Sequence, residues 1–311
     1  MNIAIIDLGT NTFNLLVAET KGNGSYEIIH SGKLGVKLGE GGINRKLITA
    51  EAQTRGLDAI AKHMETAASF EAERVFAFAT SATRNAANGK EFVQEIYNRF
   101  GLQVNVIDGS QEAELIYYGV RQAFPLGEEK SLILDIGGGS NELIIADANK
   151  HYWLKSFDLG ISRLLQLFNP SDPITIEEIS HVENYLENAL QPLFKACELY
   201  KPTRLVGSSG SFDTYRSILA QHGKINVNGQ VSVDLPFDCY LELHRELVHS
   251  TKEQRTRIPG LEPLRVEMIV LATIFTRFIL KRTGIHQMHQ STYALKEGAI
   301  WKMIHHNGFS N

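Results

Sequence analysis

The strongest constraint on the fold of this 311-residue chain is that one short pattern occurs in it twice. Ile3 to Val17 reads IAIIDLGTNTFNLLV, and Ser131 to Asp147 reads SLILDIGGGSNELIIAD. The two align without a gap. Asp7 falls on Asp135, Gly9 on Gly137, Thr12 on Ser140, Asn14 on Glu142, and Leu15-Leu16-Val17 on Leu143-Ile144-Ile145. Copies this far apart point to two like domains, because a solenoid repeats at a period of about 20–50 residues. In each copy an apolar run ends on an acid, a glycine turn follows, and an apolar run resumes at once. A dinucleotide-binding loop would open a helix there, so the spacing predicts strand–turn–strand. Each interior glycine costs about 0.5–1 kcal/mol relative to alanine. That cost suits a tip whose backbone N–H groups must come close to an anion. Two such tips, each with an acid (Asp7, Asp135), a glycine and a hydroxyl, would make opposite walls of one cleft, fit for a polyanion and a metal ion.

Composition narrows the partners. The formal net charge of −4 gives no global attraction to nucleic acid or to an anionic membrane, so any anion site has to be local. Length predicts one or two domains with ample core. Cys197 and Cys239 lack paired spacing, the N-terminus leads straight into a strand, and the greasiest run, Met268 to Phe275, is too short to span a bilayer. These features predict a cytoplasmic protein with neither signal peptide nor membrane partner. The histidines lack ligand spacing, and no Gly-Lys pair precedes Ser or Thr as a P-loop requires. In Gly207-Ser208-Ser209-Gly210-Ser211, Ser211 stands where a serine nucleophile elbow has its last glycine.

Along the chain, Gly22-Asn23-Gly24 reads as a turn, and periodicity predicts helices over Thr49–Phe70, Lys90–Phe100 and from Asp108 through Tyr118. Thr175 to Glu178 is a capping-box match opening a helix to Tyr200, kinked before Pro192. Further helices are expected at Asp238–His249, Arg265–Lys281 and Ala294–His306, and a hairpin across Asn226–Asp234 turning at Asn228-Gly229. Gly39-Glu40-Gly41-Gly42, with Lys37, Arg45 and Lys46 nearby, reads as a solvated loop. Pro125-Leu126-Gly127 marks the passage between a first unit, 1–124, and a second, 125–293, with the final helix 294–308 returning to the first.

Two strand exits stand out. The strand Val75–Ala79 leads to Thr80-Ser81-Ala82-Thr83-Arg84-Asn85, where Arg84 could grip phosphate in bidentate fashion. Gly207 to Ser211 is its counterpart, read as an anion-binding helix N-terminus. Glu112 and Glu114 fall in the first turn of a helix capped by Asp108 or Ser110, where the helix dipole alone would account for them.

Seven segments together resemble the exopolyphosphatase / guanosine pentaphosphate phosphohydrolase family: IDLGTNTFNLLV, ATSATRNAAN, DGSQEAELIYYGV, LDIGGGSNELI, GSSGS, PGLEPLRVEMI and STYALKEGAI. The resemblance implies a duplicated α/β fold of the actin-like, sugar-kinase and heat-shock-chaperone type, with ribonuclease H-like domains around a cleft. It implies that Glu112 is the catalytic glutamate, and that Asp135 and Glu142 are acids close to a metal, Mg²⁺ or Mn²⁺. It also implies that Gly9, Thr10, Asn11, Thr12, Asn14, Arg84, Gly137, Gly138, Gly139, Ser140 and Gly207 to Ser211 contact phosphate. The expected substrate is inorganic polyphosphate or guanosine pentaphosphate; a homodimer stays open as the oligomeric state. Glu114, Glu267 and Lys296 depart from the family pattern, where arginine, aspartate and arginine respectively are common. Longer members carry C-terminal helical domains that this chain stops before, from which short polyphosphates and weak processivity are expected. A reading of another class, a nucleotide-binding sensor or kinase-like protein without hydrolysis, sits poorly with a carboxylate at Glu112.

Overall fold

The computed structural model describes residues 1–22 and 24–305. Its first half runs β1 (Asn2–Leu8), β2 (Thr12–Thr20), β3 (Tyr26–Gly35), α1 (Ala50–Ser69), β4 (Arg74–Ala79), α2 (Ser81–Asn85), α3 (Gly89–Phe100), β5 (Val104–Val106) and α4 (Gly109–Ala123). The second half begins β6 (Ser131–Ile136), β7 (Asn141–Ala146), β8 (His151–Phe157), α5 (Ile161–Phe168), α6 (Ile176–Ala189), α7 (Gln191–Tyr200), β9 (Arg204–Ser208) and α8 (Ser209–Gln221). It ends with β10 (Ser232–Asp234), α9 (Phe237–His249), α10 (Lys252–Arg255), α11 (Ile269–Thr283), β11 (Gln287–Ser291) and α12 (Leu295–His305). The expected turn at Gly22-Asn23-Gly24 and the end of the expected final helix, 306–308, include residues outside the described ones.

The duplication extends from pattern to topology. The first sheet is ordered β3-β2-β1-β4-β5, and the second β8-β7-β6-β9-β11 with β10 added at its edge. In each, the first three strands form an antiparallel meander and the next two run parallel to the first. This is the duplicated α/β architecture expected from the sequence. β6 and β7 are buried at every residue, which is why they read as continuous apolar runs.

Two expectations need correction, and one strand goes unread in the sequence. The Asn226–Asp234 hairpin does not form: Asn228 and Gly229 do turn with positive φ, but β10 pairs antiparallel with β11. β11 escaped notice because its sequence, QMHQS, is polar; Gln290 is nonetheless fully buried, held by Arg216 and Asp213. The helix expected over Thr175–Tyr200 is two helices that meet at Leu190, with Pro192 in the first turn of the second.

Alternation along the strands sets one face of each sheet towards the other. Ile3 and Ile5 of β1, Ile133 of β6, and Ile144 and Ala146 of β7 share a single core with α4 (Ala113, Ile116, Val120) and α12 (Leu295, Ala299, Ile300). Helix α4, placed by sequence in the first unit, packs on β7 and β8; α12 packs on β1 and β2. The two helices cross through glycine. A β-carbon on Gly119 would lie 1.9 Å from the Ala294 carbonyl oxygen, and one on Gly298 would lie 1.8 Å from that of Leu115. The contact is reciprocal, since each glycine sits against the carbonyl four residues before the other. Among the described residues no helix is long and apolar enough to cross a membrane.

An ordinary helical Gly→Ala change stabilises by about 1 kcal/mol. At this crossing overpacking, typically about 1–3 kcal/mol, should outweigh that gain and reverse the sign. Gly298→Ala should therefore lower the midpoint of thermal unfolding, and Gly298→Val should lower it further. Calorimetry showing either variant at or above wild type would contradict the close crossing.

Candidate active site

The inter-sheet layer ends in acid. On β1 the face that carries Ile3 and Ile5 ends at Asp7, on β6 the face of Ile133 ends at Asp135, and on β7 the face of Ile144 begins at Glu142. Strand register sets Asp7 opposite Asn14, and Asp135 opposite Glu142. The two tips share a turn: Gly9 N–H donates to the Thr12 carbonyl and Gly137 N–H to the Ser140 carbonyl, both at 3.1 Å. α4 adds Glu112 through its first turn, where Asp108 caps the helix in a capping box with Gln111.

These parts enclose a cavity of about 140 Å³. Its wall holds Asp7, Gly9 to Thr12, Asn14, Glu112, Asp135, Gly137 to Ser140, Glu142, Ser209 and Gly210. The opposed tips are in contact: a β-carbon on Gly138 would lie 2.4 Å from Asn11 Nδ2. The carbonyls of Gly137 and Gly138 accept from the first-turn amides of α5. The amides of Gly138 and Gly139 donate to no group among the described residues, which leaves them for an anion.

Other expected site residues are placed differently. Arg84 is turned towards Glu112, donating from Nη1 to its Oε2 at 2.8 Å and to the Ile107 carbonyl at 2.9 Å, and it is not part of the cavity wall. Through Nη1 it supplies the counter-charge that Glu112 needs when buried. Gly207 serves packing, since a β-carbon there would meet Phe212 at 2.0 Å. Ser208 and Ser209 both donate to Asp135 Oδ2, at 2.7 and 2.6 Å, and Ser211 lies buried off the wall. Asn11 spends its amide across the cleft, accepting from Ser162 Oγ and donating to Met268 Sδ. Glu114 pairs with Lys302 and Tyr118, away from the cavity.

The structure also brings in cations that the sequence did not assign to the site. Lys33, Arg265 and Lys296 line the cavity together with Asp213. Arg265 reaches it across Gly210, where a β-carbon would lie 1.7 Å from its Nη2. Lys33 is paired with both carboxylate oxygens of Glu262 at 2.6 Å, and Lys296 lies 3.5 Å from Glu297. Their one sequence signal is that Arg265 and Lys296 fall inside PGLEPLRVEMI and STYALKEGAI.

Crowding of acids shows in their proton affinities. Burial pushes Asp7 up to about 6, against the pull of the Asn14 hydrogen bond and of Lys296. Burial also raises Glu112, although Arg84 opposes it. Asp135 is raised by burial despite its two serine donors, and Glu142 well raised by burial and by the charges of Glu112 and Asp135. Burial works against the charge of Lys296, but Glu297, Asp7 and Asp213 more than offset it and raise its pKa. Buried carboxylates facing one another favour protonation or a cation. Among the described residues no three His, Cys, Asp or Glu side chains converge into a full metal-ligand set. One or two carboxylates suffice for a hard divalent cation that completes its shell with water and the oxygens of a phosphorylated substrate.

Ser209 has φ of +65°, a conformation that costs an L-residue about 1–2 kcal/mol. It is the first residue of α8, directly after β9, with its hydroxyl on Asp135, so the strain is spent on orienting that acid. Ser209→Gly and Ser209→Ala should both lose activity, while the glycine variant is the more stable of the two by about 1 kcal/mol in denaturant titrations. Wild-type turnover in Ser209→Gly would show that the hydroxyl has no such task.

The chain as a whole has counterparts among known proteins. A solved exopolyphosphatase from Cytophaga hutchinsonii superimposes with a TM-score of 0.94, at 37% identity over 98% of both chains. A Haemophilus influenzae protein provisionally named an exopolyphosphatase is 30% identical over 97% of this chain and 91% of its own. A Photobacterium profundum protein named guanosine-5'-triphosphate,3'-diphosphate pyrophosphatase is 26% identical over 97% of this chain, which spans 59% of that longer protein. The model of the Ppx/GppA phosphatase family matches residues 16–307, and the chain belongs to that family.

Proposed function

We propose that the chain hydrolyses the terminal phosphoanhydride of inorganic polyphosphate with the help of a divalent cation. The observation that carries this reading is the cavity wall. Among the described residues its polar lining is glycine backbone, hydroxyls, asparagine amides, acids and three cations, with Ile116, Ile136, Ala294 and Leu295 beside them, and no aromatic ring lines it to stack on a base. The amides of Gly138 and Gly139 and the opposite tip around Thr10 and Thr12 would hold the terminal phosphoryl group. Lys33, Arg265 and Lys296 would face the phosphoryl groups behind it.

Asp135, with Glu142 or Asp7, would supply the one or two carboxylates that Mg²⁺ or Mn²⁺ needs, and the ion would neutralise charge on the phosphoryl oxygens. Glu112 acts as general base. Water attacks the terminal phosphorus, its proton passes to Glu112, and the bridging P–O bond breaks to release the shortened chain. Arg84 holds the Glu112 carboxylate through Oε2, and Glu142 is fixed by Ser156 Oγ at 2.7 Å. A raised proton affinity suits Glu112 to this task near neutral pH.

The second reading, removal of the 5'-terminal phosphate of guanosine pentaphosphate, rests on the pyrophosphatase relative named above. Both readings need the same chemistry at the cavity and differ in what lies beyond it.

Phosphate release from polyphosphate and from guanosine pentaphosphate, measured side by side, should favour polyphosphate. It should stop with chelator and return with Mg²⁺ or Mn²⁺. Glu112→Gln should keep the fold and substrate affinity and lose about 10²–10⁴-fold in kcat. Faster hydrolysis of guanosine pentaphosphate would select the second reading, and a glutamine variant within a few-fold of wild type would remove Glu112 from the mechanism.

A further inference from the structure

Helix α5 joins two things that the reaction needs at the same moment. Its first turn carries the β6–β7 tip: Ile161 N–H donates to the Gly137 carbonyl at 3.0 Å, and Ser162 N–H to that of Gly138 at 2.9 Å. Its side chains reach the other half of the molecule. Gln166 donates to the Gly39 carbonyl at 3.1 Å, and Ser162 donates to Asn11 Oδ1 at 2.8 Å. The segment around Gly39 to Arg45, which reads as a solvated loop, is in fact docked on this helix.

Arg163 does both at once. Its Nε donates to the carbonyl of Gly139 at 3.2 Å, and its Nη1 to the carbonyl of Ile43 at 3.2 Å, with Asn44 Oδ1 at 3.5 Å. Asn44 Nδ2 returns a bond to the Arg163 carbonyl at 3.1 Å. The guanidinium is 13% exposed, and its Nη2 is buried without a hydrogen-bond partner, 3.5 Å from Asp158 Oδ1. A buried cation placed with one donor unsatisfied is held for its geometry, since its hydrogen bonding is incomplete.

We propose that Arg163 is a positioning residue that latches the cleft shut and, through the same guanidinium, fixes the Gly137–Gly139 loop in its anion-binding shape. When the halves separate, Nη1 loses Ile43 and Asn44, and the constraint on the Gly139 carbonyl weakens with it. Gly137 and Gly138 stay held by α5, but the Gly139 end of the phosphate loop is fully constrained only in the closed protein, so closure completes the site. Lysine cannot substitute. Its single ammonium lacks the planar fork that reaches two carbonyls in different directions. The kinetic consequence rests on the cavity being the site of phosphoanhydride hydrolysis; the conformational one does not.

The test compares wild type, Arg163→Ala, Arg163→Lys and Asn44→Ala, the last leaving α5 untouched in case the arginine variants fold poorly. Without substrate, hydrogen exchange should quicken in residues 39–45 and 137–141 of every variant and stay unchanged in α6 and α9, while small-angle scattering reports a larger radius of gyration. With tripolyphosphate and Mg²⁺, KM should rise about tenfold in Arg163→Ala, as expected for losing one charge-assisted hydrogen bond from the closed state, with a smaller change in kcat. Guanidinium ion should recover part of that loss. Exchange and scattering like wild type in both Arg163→Ala and Asn44→Ala would overturn the latch, as would a fall in kcat with KM and exchange unmoved. If wild type releases no phosphate, the hydrolysis reading fails and exchange and scattering still decide the latch.

Discussion

Two glycines let two helices touch backbone to backbone, and the placement of the site depends on it. Gly119 and Gly298 allow α4 and α12 to lie close together between the sheets, each helix leaving its own half to pack on the other. The same crossing sets the first turn of α12 against Leu115 and Gly119 of α4, one to two turns on from Glu112. That is how Glu112 from one half and Lys296 from the other come to line a single cavity. Larger residues at the crossing would separate the helices, and the sheets with them.

The acid end of this layer works against folding. Glu112, Asp135 and Glu142 are buried near one another with Asp7 half-buried beside them, and desolvation is the largest cause of the raised proton affinity of each. Hydroxyls of Ser208, Ser209 and Ser156, the Asn14 amide, and the charges of Arg84 and Lys296 offset part of the cost. A divalent ion brought in with a phosphorylated substrate would offset more. Stability given up here is what the proposed function would require of this cavity, because groups already satisfied by the protein could not take a ligand.

Much of this was legible in the sequence because it is local. The gapless match of Asp7 to Asp135 encodes two hairpins in full, the Thr175–Glu178 capping box opens α6, and Asp108 caps α4 as its spacing suggests. What sequence missed is set by distance along the chain. Arg84 reads as a free phosphate grip until Glu112, 28 residues on, is seen to hold it. Lys33, Arg265 and Lys296 come from widely separated segments, and no pattern announces that they meet. β11 hid because its buried polar side chains are satisfied by partners such as Arg216 and Asp213, which a hydropathy pattern cannot show. Gly207 looked like an anion loop and is a seat for the Phe212 ring.

The proposed function requires both hairpin tips to hold one terminal phosphoryl group, with Glu112 of α4 beside it and Lys296 of α12 on the groups behind. A crystal structure of Glu112→Gln with tripolyphosphate and Mg²⁺ tests it most directly. The account predicts the terminal phosphoryl between Thr10–Thr12 and Gly138–Gly139, the ion against Asp135, and the following phosphoryl groups towards Lys33, Arg265 and Lys296. Tripolyphosphate bound elsewhere, with the cavity between the tips filled by water, would contradict it.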